Sequence, residues 1–198
     1  MSRLRENTPK RNNSISIKLF FVVISVVSAY QLANLLRDEP EWETYSHENK
    51  LFTLDISGDL NRRIVEEAFK FGVVSFDFIM FSRGDFQYAM SYAEVPETVA
   101  GTSIIDLAIK ASKKMMRSEL TKVYKDSVSN VSGQRVIIEA PDGSELVQLI
   151  AWYRGYLFRL MVVGEGVTEA QSSRDVEHFF RSFEFLKITP YSDTLLFQ

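Results

Sequence analysis

Apolar and polar positions alternate with a period of two through most of the chain after Trp42. Leu51-Phe-Thr-Leu-Asp-Ile-Ser57 alternates and stops at Gly58-Asp59, which reads as a strand closed by a turn. Val74, Phe76, Phe78 and Met80 fall on one strand face. Phe86, Tyr88, Met90 and Tyr92 do the same beyond Ser82-Arg83-Gly84-Asp85, so the two runs predict a hairpin. Gln134–Ala140 runs into Pro141-Asp142-Gly143-Ser144, whose residues pre-set a turn, and Leu146–Tyr153 and Tyr156–Val163 flank Arg154-Gly155. These three runs predict a meander. Arg62–Phe71 stays open: Ile64, Val65, Ala68 and Phe69 have helical spacing, but the segment is short and its neighbours are strand-like.

The period changes twice. Ile104, Ala108, Ala111 and Met115, with Ile105, Ile109, Ser112 and Met116 beside them, form one apolar stripe and predict a helix to about Leu120. Ser103 followed by Asp106 resembles a capping box at its start. Thr168 with Gln171 opens a second helix, whose buried side is Ala170, Val176, Phe179, Phe180 and Phe183. An antiparallel sheet with helices packed on it is an α+β domain. The boundaries read 44–188 for that domain and 189–198 for a C-terminal tail.

The first 36 residues follow neither period. A basic leader ends at Lys18, and Leu19 to Leu36 gives 18 residues without a charge, just inside the roughly 17–25 that cross a bilayer. Two readings compete. A signal anchor fits the length, with Lys18 at one interface and Tyr30 near the other, although Ser25, Ser28, Gln31 and Asn34 need hydrogen-bond partners in lipid. A cleaved signal peptide fits the apolar stretch and the small residues ending at Ala29, although the leader is long for an n-region. The balance favours the anchor, making residues 1–36 leader plus transmembrane helix and 37–43, with Pro40, a linker. The positive-inside rule leaves the N-terminus in the cytoplasm and the domain extracytoplasmic, periplasmic in a bacterium, or secreted if cleavage occurs near Ala29.

Charge sharpens this picture. The net charge of -3 conceals a leader of five basic groups against Glu6, so the other 180 residues hold 18 basic and 25 acidic groups, a net of -7. A body that acidic excludes general nucleic-acid binding. The absence of cysteine excludes thiolate metal sites, cysteine nucleophiles and lipid attached through cysteine. One local reversal stands out. Lys110, Lys113, Lys114, Arg117, Lys122 and Lys125 are opposed between residues 110 and 125 only by Glu119. Lys110, Lys113, Lys114 and Arg117 are therefore the candidate binding residues, for an acidic partner or anionic headgroups. The plainer account is the solvated back of an amphipathic helix.

Catalytic and cofactor motifs are scarce. His47 and His178 belong to no metal-ligating spacing, and there is no nucleophile elbow and no P-loop. Gly164-Glu165-Gly166 lacks the third glycine and puts a carboxylate where a pyrophosphate would lie, so it reads as a strand-to-helix turn. Arg83-Gly84-Asp85 reads as a hairpin turn rather than an adhesion motif. Asp55 and Asp77, in strand-like runs, are the candidate carboxylates for acid/base work, as in a small secreted hydrolase. No metal and no cofactor is called for.

The ordered set of motifs resembles the PsbP-like superfamily: Trp42, Tyr45 and Leu51-Phe-Thr-Leu, the hairpin strands, a Met/Lys-rich helix, and Gly133-Gln-Arg-Val. Then follow Trp152 to Gly164, a helix, and Phe179-Phe-Arg-Ser-Phe183-Glu-Phe185. The resemblance covers roughly residues 42–187. It implies an α/β/α sandwich and a non-catalytic module that docks on other proteins. The expected function is therefore a membrane-tethered, extracytoplasmic accessory module for an envelope protein complex, with the secreted hydrolase as the alternative.

Overall fold

A computed structural model describes residues 40–69, 71–95, 102–170 and 174–186. The leader, the uncharged run 19–36 and the tail 189–198 lie outside the described residues, as do the Ser103 and Gln171 side chains of the two helix-start signals. Among the described residues no helix is long and apolar enough to cross a membrane.

The elements run β1 (Trp42–Ser46), β2 (Phe52–Ser57), β3 (Asn61–Phe69), β4 (Gly72–Arg83), β5 (Phe86–Glu94), α1 (Thr102–Met116) and β6 (Thr121–Val128). Then come β7 (Val131–Glu139), β8 (Ser144–Tyr153), β9 (Tyr156–Glu165), α2 (Val167–Ala170), α3 (Arg174–Ser182) and β10 (Glu184–Phe185). Seven strands form one antiparallel sheet in the order β3-β4-β5-β9-β8-β7-β6, and β1-β2-β10 form a second, small one. The expected β4–β5 hairpin and the β7–β8–β9 meander are both present, each pair in continuous antiparallel register.

Alternation assigns the faces of the large sheet. Even-numbered Leu146 and Ile150 on β8, with Leu157 and Met161 on β9, join Val74, Phe76 and Ala93 against Ile104, Ile105 and Ala108 of α1. The opposite residues, Val147, Leu149, Phe158, Leu160 and Val162, join Ile79, Phe81, Tyr88 and Met90. They meet Phe52 and Leu54 of β2 and Val176, Phe179, Phe180 of α3, with Phe183 just beyond it. The two central strands are apolar on both faces because both faces are covered.

Three expectations are corrected and one open segment is settled. The domain is dominated by sheet rather than by helices laid on it: among the described residues α1 alone covers one face, and a small sheet shares the other with α3. β1 and β2 cannot extend the large sheet, because their apolar residues are buried against its face. Trp42 and Glu43, expected in the linker, belong to β1. The open segment 62–71 is strand β3, paired with β4 from Asn61↔Met80 to Phe69↔Gly72. Helix α1 ends at Met116 and not near Leu120, because Arg117 turns left-handed at φ 52°. β6 is a strand that the sequence pattern does not announce. It is the sheet's edge, exposed at every position from Lys122 to Lys125, so no burial alternation marks it.

Candidate functional site

The four candidate cations meet at one place. Lys110, Lys113, Lys114 and Arg117, with Ser118 and Glu119, line a shallow depression of about 460 Å³ at the C-terminal end of α1. The chain's local geometry builds it. The Arg117 N–H donates to the Lys114 carbonyl at 3.3 Å and the Ser118 N–H to the Lys113 carbonyl at 3.1 Å. That is the paired closure of a Schellman motif, with Arg117 in the position that glycine usually fills. Ser118, nearly buried, holds the exit: its Oγ accepts from the Leu120 N–H at 3.1 Å and donates to the Leu120 carbonyl at 3.2 Å. The helix end carries a partial negative charge, which stabilises cations there. Lys113 Nζ pairs with the fully solvated Glu119 at 3.1 Å, whereas Lys110 and Lys114 have no ion-pair partner among the described residues. Lys122 and Lys125 fall on β6, immediately beyond the helix exit.

The carboxylates of the alternative reading are placed otherwise. Asp77 lies on β4 in a connected polar chain. Arg62 of β3 grips it with Nε at 3.1 Å and Nη2 at 2.7 Å, and reaches Glu48 through Nη1 at 2.6 Å. The Tyr92 hydroxyl donates to Asp77 at 2.9 Å and accepts from His47 Nε2 at 2.7 Å. This fixes the imidazole as the Nε2–H tautomer, and its bare Nδ1 accepts the Asn49 N–H at 3.3 Å. His47 is buried, stacked on Phe52 with ring centres 5.0 Å apart. Burial, and then the Arg62 charge, push its pKa down. Burial alone would raise Asp77, but hydrogen bonds from Arg62 and Tyr92 outweigh it and hold the carboxyl below its ordinary value. Burial and the bond to Asp77 raise Tyr92. The chain is a clasp between the β1–β2 turn and the β3 side of the large sheet.

Asp55 is committed elsewhere. It accepts from His178 Nε2 at 2.8 Å and from Thr44 Oγ1 at 2.8 Å, while its own N–H donates to Ser182 Oγ at 3.1 Å. His178 in turn lies 4.7 Å from the Trp42 ring. The two aspartates thus serve separate clusters, and neither lines either of the two described depressions. Arg83 faces inward, bound to Asp175 at 3.0 Å, to Ser57 Oγ at 2.9 Å and to the Pro40 carbonyl, with its guanidinium 4.9 Å from the Trp42 ring. The Arg83-Gly84-Asp85 turn is therefore a structural hairpin end. Gly164-Glu165-Gly166 is likewise a turn, with Gly166 at φ 70° between β9 and α2. The Thr168 N–H there is satisfied by Glu145 at 2.6 Å.

One charged residue escaped the sequence reading. Arg159 is buried on β9 on the same sheet face as Leu157 and Met161, donating from Nε to Ser91 at 3.0 Å, 3.6 Å from Glu67, with its guanidinium 4.3 Å from the Phe76 ring centre. The available signal was a lone arginine inside the apolar run 156–163. Nearby, the buried Gln148 accepts from Ser112 of α1 at 3.0 Å.

The chain matches no family model and no curated protein. Among solved structures it is similar to the solution structure of cyanobacterial PsbP (CyanoP) from Synechocystis sp. PCC 6803. That similarity has 12% identity, covers 76% of this chain and 95% of that one, and has a TM-score of 0.44.

Proposed function

We propose that the chain is a non-catalytic binding module, tethered to a membrane through residues 19–36 with its domain on the extracytoplasmic side. There it serves as an accessory to an envelope protein complex, docking through the basic end of α1. The observation that carries this reading is the convergence of Lys110, Lys113, Lys114 and Arg117 on one depression in a body of net charge -7. An acidic protein surface is the partner that such a reversal complements, and the leaflet on that side is less anionic than the cytoplasmic one. A carboxylate hydrolase gains no support from Asp55 and Asp77, each held by its own cationic or hydrogen-bonding partners.

The missing cysteine makes the test clean, because Ser127→Cys on exposed β6 introduces a single thiol. In cells making the full chain, a membrane-impermeant maleimide carrying a photo-crosslinker should label that thiol from outside and yield discrete adducts. Lys113→Glu with Lys114→Glu should reduce those adducts at least fivefold, and raised salt should do the same. Labelling only after lysis overturns the topology. Adducts indifferent to both the reversal and salt overturn the docking face.

A further inference from the structure

The outer edge of the large sheet at β6 bears no strand among the described residues. An edge strand points alternate N–H and C=O groups outward with nothing to receive them, and so templates the pairing of another extended chain. Asp126 Oδ1 accepts the Ser127 N–H at 2.7 Å near the far end of the strand, and the stretch before it is exposed. Lys122, Val123, Tyr124 and Lys125 are all exposed, Val123 at 48% and Tyr124 at 50%, and Leu120 leads into the strand at 65%. The register with β7 separates the two faces. Val123 and Lys125 stand on the α1 side, opposite Val136 and Gln134, while Lys122 and Tyr124 stand on the other, opposite Ile137 and Arg135. Each face thus offers one cation and one apolar side chain.

We infer that β6 is a strand-addition site for an extended acidic segment of a partner protein. Residues directly opposite in a ladder share a face, so the complement of Lys122-Val123-Tyr124-Lys125 reads acid, apolar, apolar, acid. That pattern is the same in either direction, so it fits a parallel or an antiparallel guest. A carboxylate flanking the Thr121 end would find the cations of the α1 depression, which the chain reaches within four residues of Thr121. A second copy of this chain is a poorer occupant. Paired antiparallel about the same four residues, it would set Lys122 against Lys125 twice, and each copy brings a net of +5 between residues 110 and 125. The inference rests on the docking reading for the sign of the partner's charge and adds its backbone conformation.

The probe is the peptide acetyl-Ser-Asp-Glu-Val-Phe-Glu-Asp-Ser-amide, added to the full chain in neutral detergent micelles. Binding should slow amide exchange in residues 121–128 and leave β3 unchanged. Two further peptides of identical sequence and charge carry N-methyl groups on one or the other alternate set of backbone amides. One should lose affinity at least tenfold and the other should keep it, because a guest strand points only one set at its host. Lys122→Glu with Lys125→Glu should weaken the parent peptide at least tenfold, and a peptide with Lys in place of the two glutamates should restore binding to that variant. If both methylated peptides bind as the parent does, strand addition is overturned while salt-sensitive docking stands. If the parent peptide fails to bind, β6 is an edge guarded by its lysines and the inference falls. It falls equally if exchange in 121–128 slows with protein concentration alone, which identifies a second copy as the occupant.

Discussion

The two edges of the seven-stranded sheet carry similar numbers of charges and use them in opposite ways. On β3, Arg62 is spent on Asp77 and Glu48, and Glu67 faces the buried Arg159. On β6, Asp126 pairs with Arg135, but Lys122 and Lys125 meet no counter-ion among the described residues. The first edge is sewn to the β1–β2 turn by the His47–Tyr92–Asp77–Arg62 chain. The second leads straight out of a left-handed helix end lined with cations. Charge alone therefore does not mark a binding surface. What separates the edges is whether the protein itself supplies the counter-charge.

The sharpest way to break that contrast is to delete charge on each edge and compare stabilities. Asp77→Ala removes both Arg62 bonds and the Tyr92 acceptor from a mostly buried site. It should cost about 2–3 kcal/mol in denaturant unfolding. Lys122→Ala and Lys125→Ala should each stay within about 0.5 kcal/mol, as exposed positions without partners do. Equal losses at the two edges would mean that β6 is held by its lysines as β3 is by its clasp.

Acid should separate the edges a second time, with a smaller effect. His47 has its pKa lowered in the fold, so the unfolded chain takes up that proton first, beginning near the ordinary value of about 6.5. Stability should therefore be fully present above about pH 6.5 and fall as the pH drops toward the folded pKa. Asp77 is lowered as well, so a second loss begins near the ordinary aspartate value of about 3.9 and continues downward. The protonated imidazole would put a hydrogen on Nδ1 against the Asn49 N–H, which gives the first step its structural cause. Thermal unfolding across pH 7 to 5 should show that step, and His47→Gln should flatten it. Amide exchange on β6, corrected for its intrinsic pH dependence, should not follow it.

The central strands were legible because burial writes itself into sequence as periodicity. β4, β5, β7, β8 and β9 all follow runs of alternating or unbroken apolar residues, and the turns between them carry glycine with aspartate or arginine. The edges were not legible for the same reason. β3 and β6 have at most one face to bury, so Asn61–Phe69 could pass for a helix and Thr121–Val128 for the tail of one. The cations of α1 could be named from sequence because a run of like charge is local. The clasp could not, since His47, Arg62, Asp77 and Tyr92 come from the β1–β2 turn and three different strands. Strand pairing brings them together, and no spacing along the chain announces it.

Arg117 is where the open edge can be tested most finely. A left-handed backbone costs a residue with a side chain about 1–2 kcal/mol, and glycine escapes that cost. Glycine also gives the unfolded chain more freedom, which returns about 0.5–1 kcal/mol of the gain. Arg117→Gly should thus stabilise the domain by about 0.5–1 kcal/mol, a modest rise in unfolding temperature. The same change takes one of four cations from the depression, so binding of an acidic peptide should weaken and its salt dependence should become shallower. Opposite movements of stability and binding would place Arg117 among residues kept at a strained position for what the side chain does there. A variant that gains stability and binds the peptide unchanged would assign the strain to no binding role and confine the docking face to the lysines.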